Sequence, residues 1–337
     1  MIREAIDALV VGRSLTMEQA SQVMAEIMEG SVTPSQLAAF LVALRLKGET
    51  AQEIAGMARV MREKALRVSV DGLLVDTCGT GGDGKGTFNV STAAAIVAAG
   101  AGLRVAKHGN RAASGQCGSA DVLEALGVKI DLGPQGVETC IREVGIGFMF
   151  APAFHPAMKY AAPVRREIGI RTVFNILGPL TNPAGAQVQL LGVPQAALGE
   201  RMAQVLGLLG SQRALVVHGE DGMDEISLTG PTKVWELKGG SVVSYTITPE
   251  EAGLSRVPLQ ALKGGTAQEN AATLRRVLQG GVGPIRDVVL LNTAGVLLAA
   301  GKARDLRDGV RLAAQAIDSG AALEKLERWI ALSQELA

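Results

Sequence analysis

The sequence predicts an α/β protein built from two parts, an N-terminal all-helical bundle and a larger α/β domain with a mostly parallel central sheet. The first seventy residues show helical patterns only. From residue 73 onward, short apolar runs alternate with helical segments, which is typical of a parallel sheet with helices on its faces. We expect a helical domain at 1–70, a helical segment at about 156–183 that packs on it, and an α/β domain formed by 71–155 and 184–337.

Three capping sequences mark the helices of the N-terminal part. Thr16, Thr33 and Thr50 are each followed three residues later by Gln or Glu. This spacing gives a capping box, in which the two side chains satisfy free amide groups at a helix start. Apolar residues recur at helical spacing between the caps, so about four helices are predicted. Their apolar faces suit either a core or a contact between subunits.

The second part contains seven runs with strand character and five with helical character. A further segment, KVWELKGGSVVSYTI at 233–247, predicts a hairpin around Gly239-Gly240. The expected strands are LLVD at 73–76, RVAKHG at 104–109, VKI at 128–130, IGFMF at 146–150, QVQLLGV at 187–193, RALVVHG at 213–219 and DVVLLN at 287–292. The expected helices are 91–103, 119–127, 135–144, 196–210 and 266–279.

The composition argues against several classes of protein. Lys plus Arg and Asp plus Glu balance at 33 each, so no overall field steers the chain to nucleic acid or to an anionic membrane. The three cysteines, Cys78, Cys117 and Cys140, have no metal-ligand spacing. No apolar run reaches the roughly 20 residues of a membrane span, and the N-terminus lacks signal-peptide features. We expect a cytoplasmic protein without nucleic-acid or membrane partners.

A glycine-rich segment, DTCGTGGDGKGTFNVST at 76–92, follows the first strand of the second part. Glycine lets backbone amides approach a phosphate closely. We expect Ser91 or Thr92 to cap the next helix, whose positive N-terminal end would face the same anion. The segment therefore predicts a phosphate-binding loop.

Three classes of phosphorylated ligand compete for this loop. The segment satisfies G-x-G-x-x-G, but the next strand ends in Lys107-His108 where a dinucleotide ribose needs an acidic residue. It also satisfies G-x-x-x-x-G-K, but Gly86 stands where a P-loop needs Ser or Thr for magnesium. The third ligand, phosphoribosyl pyrophosphate, requires glycine amides, hydroxyl groups, an ammonium and carboxylates that hold Mg²⁺, and the sequence supplies all four.

Four motifs in order resemble the anthranilate phosphoribosyltransferase family: DTCGTGGDGKGTFNVST, KHGNRAASGQCGSADVLEALG, RTVFNILGPLTNPA and HGEDGMDE. The resemblance runs along nearly the whole chain. It implies an enzyme of tryptophan biosynthesis that transfers the 5-phosphoribosyl group from phosphoribosyl pyrophosphate to the amine of anthranilate and releases pyrophosphate. It also implies a helical domain joined to an α/β domain, two Mg²⁺ ions held with phosphoribosyl pyrophosphate, and a homodimer formed through the helical domain.

The resemblance also assigns roles to particular residues, although it assigns no acid or base. Contacts with phosphoribosyl pyrophosphate are implied for Gly79, Gly82, Asp83, Thr87, Asn89, Ser91, Thr92, Lys107 and Ser119. Contacts with anthranilate are implied for Gly79, His108, Asn110, His155, Arg165, Gly178 and Pro179. Metal ligation is implied for Ser91, Asp224 and Glu225.

Two of these assignments have a direct chemical reason. Asp224 and Glu225 are adjacent carboxylates that repel one another, and a hard cation relieves the repulsion. The guanidinium fork of Arg165 suits the carboxylate of anthranilate, whereas its neighbour Arg166 is expected to face solvent.

The expected reaction is displacement of pyrophosphate from ribose C1 by the amine, with inversion, through an oxocarbenium-like state. Mg²⁺, Lys107 and loop amides would stabilise the leaving group. Two alternatives stay open at this point. A pyrimidine nucleoside phosphorylase of the same fold would have a longer chain and a different loop motif. A non-catalytic, nucleic-acid-binding offshoot of the family would have a net basic surface and damaged substrate motifs.

Overall fold

A computed structural model describes residues 1–112 and 116–337, and it confirms the predicted fold class. The N-terminal helices are α1 Ile2–Val10, α2 Met17–Met28, α3 Pro34–Lys47 and α4 Ala51–Lys64. The strands are β1 Leu74–Gly79, β2 Arg104–Gly109, β3 Ile146–Phe150, β4 Val188–Gly192, β5 Arg213–Gly219, β6 Thr232–Lys238 and β7 Ser241–Ile247. The remaining helices are α5 Val90–Gly100, α6 Ser119–Leu126, α7 Pro134–Glu143, α8 Ala151–Phe154, α9 Ala162–Ile168, α10 Phe174–Leu177, α11 Ala196–Leu208, α12 Ala267–Leu278, α13 Pro284–Ala299, α14 Leu306–Asp318 and α15 Ala321–Glu335.

The three predicted capping boxes are present at the starts of α2, α3 and α4. The hydroxyls of Thr16, Thr33 and Thr50 each accept a hydrogen bond from the backbone N–H three residues later. In each case the side chain of that later residue accepts a bond from the backbone N–H of the threonine. Local sequence therefore determines where these helices begin.

The seven strands form one sheet in the order β3-β2-β1-β4-β5-β6-β7. Strands β1 to β5 pair in parallel, whereas β6 and β7 form the predicted antiparallel hairpin at the edge. The chain progresses in opposite directions from β1 and from β4, so these two neighbours mark a topological switch point. Ligands of such sheets bind outside the carboxyl ends of the strands at the switch point.

The two faces of the sheet are covered by different parts of the chain. Helices α5 and α13 pack on one face, with α14 and α15 also against α5. On the other face, α11 packs on β5 and β6 and also contacts α4 of the N-terminal bundle. The bundle and this face share one buried cluster, which also includes Ala161 and Val164 from the segment after β3. The limits of the two domains stay a prediction.

Two expected strands are wrong. Residues 287–292 lie inside α13, whose residues Val288 to Leu297 are all buried, so its apolar residues do not show a one-sided pattern. A helix buried on all sides cannot be distinguished from a buried strand by periodicity. Residues 128–130 form a short connection in which the N–H of Lys129 bonds the hydroxyl of Ser333 from α15, rather than a neighbouring strand. Within the described ranges, no helix is long and apolar enough to cross a membrane.

A buried carboxylate holds the N-terminal bundle together. The Glu53 side chain is fully buried, and it accepts hydrogen bonds from the N–H groups of Leu15 and Thr50 at 2.8 Å each. The ammonium of Lys47 pairs with the same carboxylate at 2.9 Å. This one side chain therefore links the end of α3, the start of α4 and the chain before α2.

We predict that Glu53→Ala lowers the free energy of unfolding by about 3 kcal/mol, because it leaves two amides without their acceptor and the Lys47 ammonium without its carboxylate partner. Glu29→Ala is the matched control, since it removes an exposed ion pair with Lys64 and should cost less than about 1 kcal/mol. Urea unfolding followed by circular dichroism measures both values. Equal losses for the two variants would contradict this account.

Candidate active site

The candidate site lies at the carboxyl ends of β1, β2 and β4. The glycine-rich loop leaves β1, the KHGNR motif leaves β2, and the segment that contains Asp224 and Glu225 follows β5 and returns over the ends of β1 and β4. Residues 113–115 of the second motif lie outside the described residues. The topology thus brings the sequence-predicted motifs to the switch point.

Two glycines make room for Asp224 at this edge. Gly79 ends β1 and pairs with Gly192 at the end of β4. A Cβ on Gly79 would collide with the Asp224 carboxylate, and one on Gly192 would collide with the Asp224 carbonyl oxygen. The carboxylate also accepts a hydrogen bond from the N–H of Gly81 at 2.8 Å. The absence of two side chains therefore allows the Asp224 segment to dock on the sheet.

Three carboxylates are concentrated beside the glycine loop. Burial, together with the neighbouring charge of Asp83, raises the pKa of Asp224 to about 6. Burial also raises the pKa of Glu225 well above its usual range, and Asp224 adds to this rise. One oxygen of Asp83 accepts from the N–H of Lys85 at 3.0 Å, but its other oxygen is buried with no hydrogen-bond partner among the described residues. Burial and mutual repulsion therefore disfavour the charged forms of Asp224 and Glu225.

The helix after the loop begins one residue earlier than expected. Helix α5 starts at Val90 with Asn89 as its N-cap residue, so the prediction that Ser91 or Thr92 caps it is wrong. Asn89 makes no side-chain cap bond, because its amide donates to the carbonyl of Cys117 at 3.0 Å and accepts from the amide of Asn270 at 2.8 Å. Asn89 instead ties the loop to two other segments.

Ser91 and Thr92 lie in the first turn of α5, close to the carboxylates. The backbone N–H of Ser91 favours the charged form of Glu225 and so opposes the rise in its pKa. The carbonyl of Ser91 accepts a hydrogen bond from the hydroxyl of Thr77 at 2.8 Å. The hydroxyl of Thr92 is buried, and no described residue bonds it. The positive end of the helix thus favours a charged carboxylate nearby, while the Thr92 hydroxyl is available to a ligand.

Lys107 lies beneath the start of the glycine loop. Its side chain is 1% exposed, and its ammonium donates to the carbonyl of Thr77 at 2.6 Å. Burial lowers the pKa of Lys107, while the nearby carboxylates of Asp76 and Glu225 oppose that change. Lys107, the predicted phosphate contact, is therefore fully desolvated and already interacts with the carboxylates.

His108, next in sequence, lies on the opposite side of the sheet. Its Nδ1 lies 3.2 Å from the carbonyl oxygen of Gly178, and its Nε2 lies 3.2 Å from Nε2 of His155. Burial lowers the pKa of His108 to about 3 and that of His155 to about 4, so both rings are neutral near pH 7. A neutral His108 that donates from Nδ1 to the carbonyl accepts at Nε2, so the hydrogen between the rings belongs to His155. Three predicted anthranilate contacts thus lie together.

Arg165 in α9 is a half-buried cation, whereas Arg166 is exposed as expected. The Arg165 guanidinium lies 5.1 Å from the ring centroid of Phe174, a cation–π contact. Burial lowers its pKa, and no carboxylate among the described residues opposes that change. A desolvated guanidinium of this kind suits an incoming carboxylate.

Asn110 and Ser119 contact one another after β2. The hydroxyl of Ser119 donates to the carbonyl oxygen of Asn110 at 3.2 Å, and the Asn110 side chain accepts from the N–H of Arg111 at 2.7 Å. Both predicted contact residues therefore shape the same turn at the end of β2.

The other predicted residues lie around the same edge. Thr87 forms an isolated antiparallel bridge with Lys263, which holds the far side of the glycine loop. The carbonyl of Pro179 accepts from the Gln189 amide of β4 at 2.7 Å. Gly82 lies so close to the guanidinium of Arg171 that a side chain there would collide with it.

Sequence reasoning missed several residues that shape the site. The guanidinium of Arg171 donates to the carbonyls of Gly81 and Gly82 at 3.1 and 3.3 Å and so joins the glycine loop to the segment after α9. Asp76 is fully buried under the site and accepts from the Asn182 amide at 2.8 Å. Both residues lie within the four motifs of the family resemblance. Their roles depend on contacts between residues distant in sequence, which no local pattern reveals.

Comparisons with known proteins agree with this arrangement. A model of the helical bundle domain of a glycosyl transferase family matches residues 3–65, and the model of the α/β domain of that family matches residues 71–323. Anthranilate phosphoribosyltransferase from Dehalococcoides mccartyi is 60% identical over 339 residues, which cover 100% of this chain and 99% of that protein.

Solved structures give the same result. The crystal structure of anthranilate phosphoribosyltransferase from Thermus thermophilus has a TM-score of 0.93 and 52% identity, and the match covers 98% of this chain and 99% of that one. The Saccharomyces cerevisiae enzyme in complex with phosphoribosyl pyrophosphate and Mg has a TM-score of 0.90 and 31% identity over 99% of this chain and 98% of that one. It has also been solved with 4-fluoroanthranilate, with a TM-score of 0.89 and 29% identity over the same shares. This chain therefore belongs to the anthranilate phosphoribosyltransferase family of enzymes.

Proposed function

We propose that the protein transfers the 5-phosphoribosyl group from phosphoribosyl pyrophosphate to the amine of anthranilate, with Mg²⁺, in tryptophan biosynthesis. One observation carries the proposal: two chemically different regions meet at the same end of the sheet. On the α5 side lie the glycine loop, Lys107 and three carboxylates. On the bundle side lie the neutral imidazoles of His108 and His155. The first region suits a polyphosphate with its metal, and the second a flat aromatic acceptor.

The residues present fit Mg²⁺ bound together with a phosphorylated substrate. No three His, Cys, Asp or Glu side chains within residues 1–112 and 116–337 could hold a metal ion alone. Mg²⁺ commonly uses one or two protein carboxylates and completes its shell with phosphate oxygens and water. Asp224 and Glu225, with the Ser91 hydroxyl and the unpartnered oxygen of Asp83, would hold it here. Bound Mg²⁺ would neutralise charge on the departing pyrophosphate.

The proposed reaction forms one bond and breaks one. The lone pair of the anthranilate nitrogen attacks ribose C1, the bond from C1 to the pyrophosphate oxygen breaks with its electron pair, and the nitrogen then releases a proton. Lys107 and the loop amides would stabilise the leaving oxygens. The low pKa values of His108 and His155 make both rings weak bases. We therefore assign them to holding the acceptor and give the amine no strong protein base.

The guanidinium of Arg165 would pair with the anthranilate carboxylate. This supports a carboxylated acceptor in the proposal, because the guanidinium is half-buried and stacked on Phe174. The proposal of transferase rather than phosphorylase activity rests on the relatives of 60% identity, which carry the transferase name over their full length.

We also propose a homodimer formed through the helical domain. This domain exposes Val10 and Val11 at 68% each and Leu46 at 82%. Exposed apolar side chains on neighbouring helices suit a contact between subunits. The molar mass of the particle in solution tests this proposal.

The fluorescence of anthranilate tests the function. With phosphoribosyl pyrophosphate and Mg²⁺ added, we expect the wild-type protein to consume the anthranilate signal. The double variant Asp224→Asn, Glu225→Gln should lose at least about a hundredfold in rate, because it removes the proposed metal ligands while keeping side-chain size. Glu220→Gln, an exposed change in the same loop, is the control and should keep full activity. Full activity in the double variant would remove the metal assignment.

Arg165→Ala should raise the KM for anthranilate about tenfold or more and leave the KM for phosphoribosyl pyrophosphate within about twofold, because only the acceptor carboxylate is proposed to pair with this guanidinium. Arg166→Ala changes an exposed neighbour on the same helix and should alter neither constant. Steady-state kinetics with each substrate varied in turn makes the measurement. Equal increases in both KM values would place the acceptor elsewhere.

Mild acid should weaken the response to Mg²⁺. The pKa of Asp224 lies at about 6, so below this value a proton competes with the metal for the carboxylate. The proton on Asp224 alone predicts that the Mg²⁺ concentration for half-maximal activity rises at least about tenfold between about pH 7 and about pH 5. Phosphoribosyl pyrophosphate itself binds Mg²⁺, so its affinity for the metal is measured without protein at each pH. The half-maximal concentration is then corrected for the Mg²⁺ bound to free substrate. A corrected value that stays constant over this range would contradict the prediction.

A further inference from the structure

A buried asparagine in α13 contacts the backbone next to the proposed metal ligands. Asn292 is fully buried, and the helix residues around it, Val288 to Leu291, are apolar and buried. A buried amide without hydrogen-bond partners is costly, so the partners of the Asn292 side chain indicate its role. Asn292 lies on the helix that packs beneath β4 and β5, directly under the returning segment.

The Asn292 amide binds both polar groups of Ile226, the residue that follows Asp224 and Glu225. Its Oδ1 accepts from the N–H of Ile226 at 2.9 Å, and its Nδ2 donates to the carbonyl of Ile226 at 2.9 Å. The same Nδ2 donates to the carbonyl of Val288, one turn earlier in α13, at 2.9 Å. Ile226 belongs to no strand, so this side chain replaces the pairing that a neighbouring strand would give.

The Ile226 side chain also fits into the same helix. Gly295 lies three residues after Asn292, and a Cβ at Gly295 would lie 2.5 Å from Cδ1 of Ile226. The helix thus receives the side chain of Ile226 at Gly295 and its backbone at Asn292. These two contacts fix both the position and the orientation of Ile226 relative to α13.

The preceding turn is closed by a second polar side chain. Asp221 accepts from the N–H of Met223 at 3.0 Å, and its other oxygen accepts from the hydroxyls of Ser227 and Thr229 at 2.7 and 2.6 Å. The turn can therefore keep its own shape without Asn292. What Asn292 adds is the attachment of that turn to the body of the α/β domain.

We propose that Asn292 is a positioning residue that holds the carboxylates of Asp224 and Glu225 at the ends of β1 and β4 through the backbone of Ile226. The inference rests on the proposed function, in which those carboxylates hold Mg²⁺ with phosphoribosyl pyrophosphate. Groups that orient metal ligands without touching the metal typically contribute tenfold to a hundredfold to metal affinity.

Asn292→Leu tests the proposal, since it keeps side-chain size and removes both bonds to Ile226. Thr293→Val is the matched control, because Thr293 is the next residue of α13, is equally buried, and donates only to the carbonyl of Val289 within its own helix. Asn292→Ser, which is too short to reach Ile226, serves as a second test variant if the leucine variant does not fold.

Calorimetry would measure the Kd for phosphoribosyl pyrophosphate with Mg²⁺ and with a chelator, and the ratio of the two is the magnesium-dependent gain. We expect this gain to fall about tenfold in the Asn292 variant and to stay unchanged in Thr293→Val, with the KM for anthranilate unaffected in both. An unaltered gain in a folded Asn292 variant overturns the proposal. A wild-type protein without any magnesium-dependent gain overturns the proposed metal site, and the positioning role is then decided by hydrogen exchange.

Amide hydrogen exchange in the metal-free protein separates the two failures. Faster exchange at residues 223–226 in the Asn292 variant, with no change in Thr293→Val, would support the positioning role whatever the ligand. Unchanged exchange at these residues would overturn it.

Discussion

The site is constrained by the burial of two side chains of opposite charge, Asp76 on β1 and Lys107 on β2. Both side chains are desolvated, which raises the pKa of Asp76 and lowers that of Lys107, and each opposes the shift of the other. Asp76 also accepts from the amide of Asn182 and from the N–H of His108. One carboxylate thereby joins two strands to the segment before β4. If either side chain were made neutral alone, the other would stay buried with weaker compensation, which is costly in a protein interior.

The alternation of side chains along a strand explains how two unlike regions share one edge of the sheet. Lys107 and His108 are consecutive in β2, so they point to opposite faces. The charged face meets α5 and the Glu225 carboxylate, while the other meets Gly178 and His155 in the segment that packs with the helical bundle. In the proposed reaction, this arrangement would let the reacting atoms of the two substrates meet over the strand ends while the groups that bind each substrate lie on opposite faces of the sheet.

Sequence alone predicted those parts of the molecule whose signals are local. The capping boxes, the β1 loop and the hairpin each depend on residues a few positions apart. The helix α13 was missed because its burial on all sides removes the periodicity that distinguishes helix from strand. The start of α5 at Asn89 was missed because the orientation of the Asn89 side chain is determined by hydrogen bonds to Cys117 and Asn270, which are distant in sequence. Arg171 and Asn292 bind backbone groups of distant residues. Every residue has such groups, so no sequence motif identifies the partners.

The fit of Asp224 between the ends of β1 and β4 has a consequence for how this gene can vary. Both Gly79 and Gly192 must lack a Cβ, and every other amino acid carries one. No change of a glycine codon to another amino acid can therefore be neutral at these positions, including the small step to alanine. The immediate neighbours differ, since Thr80 and Val193 already have side chains. The collision that excludes alanine should thus be confined to these two glycines, at the places where two strands end under Asp224.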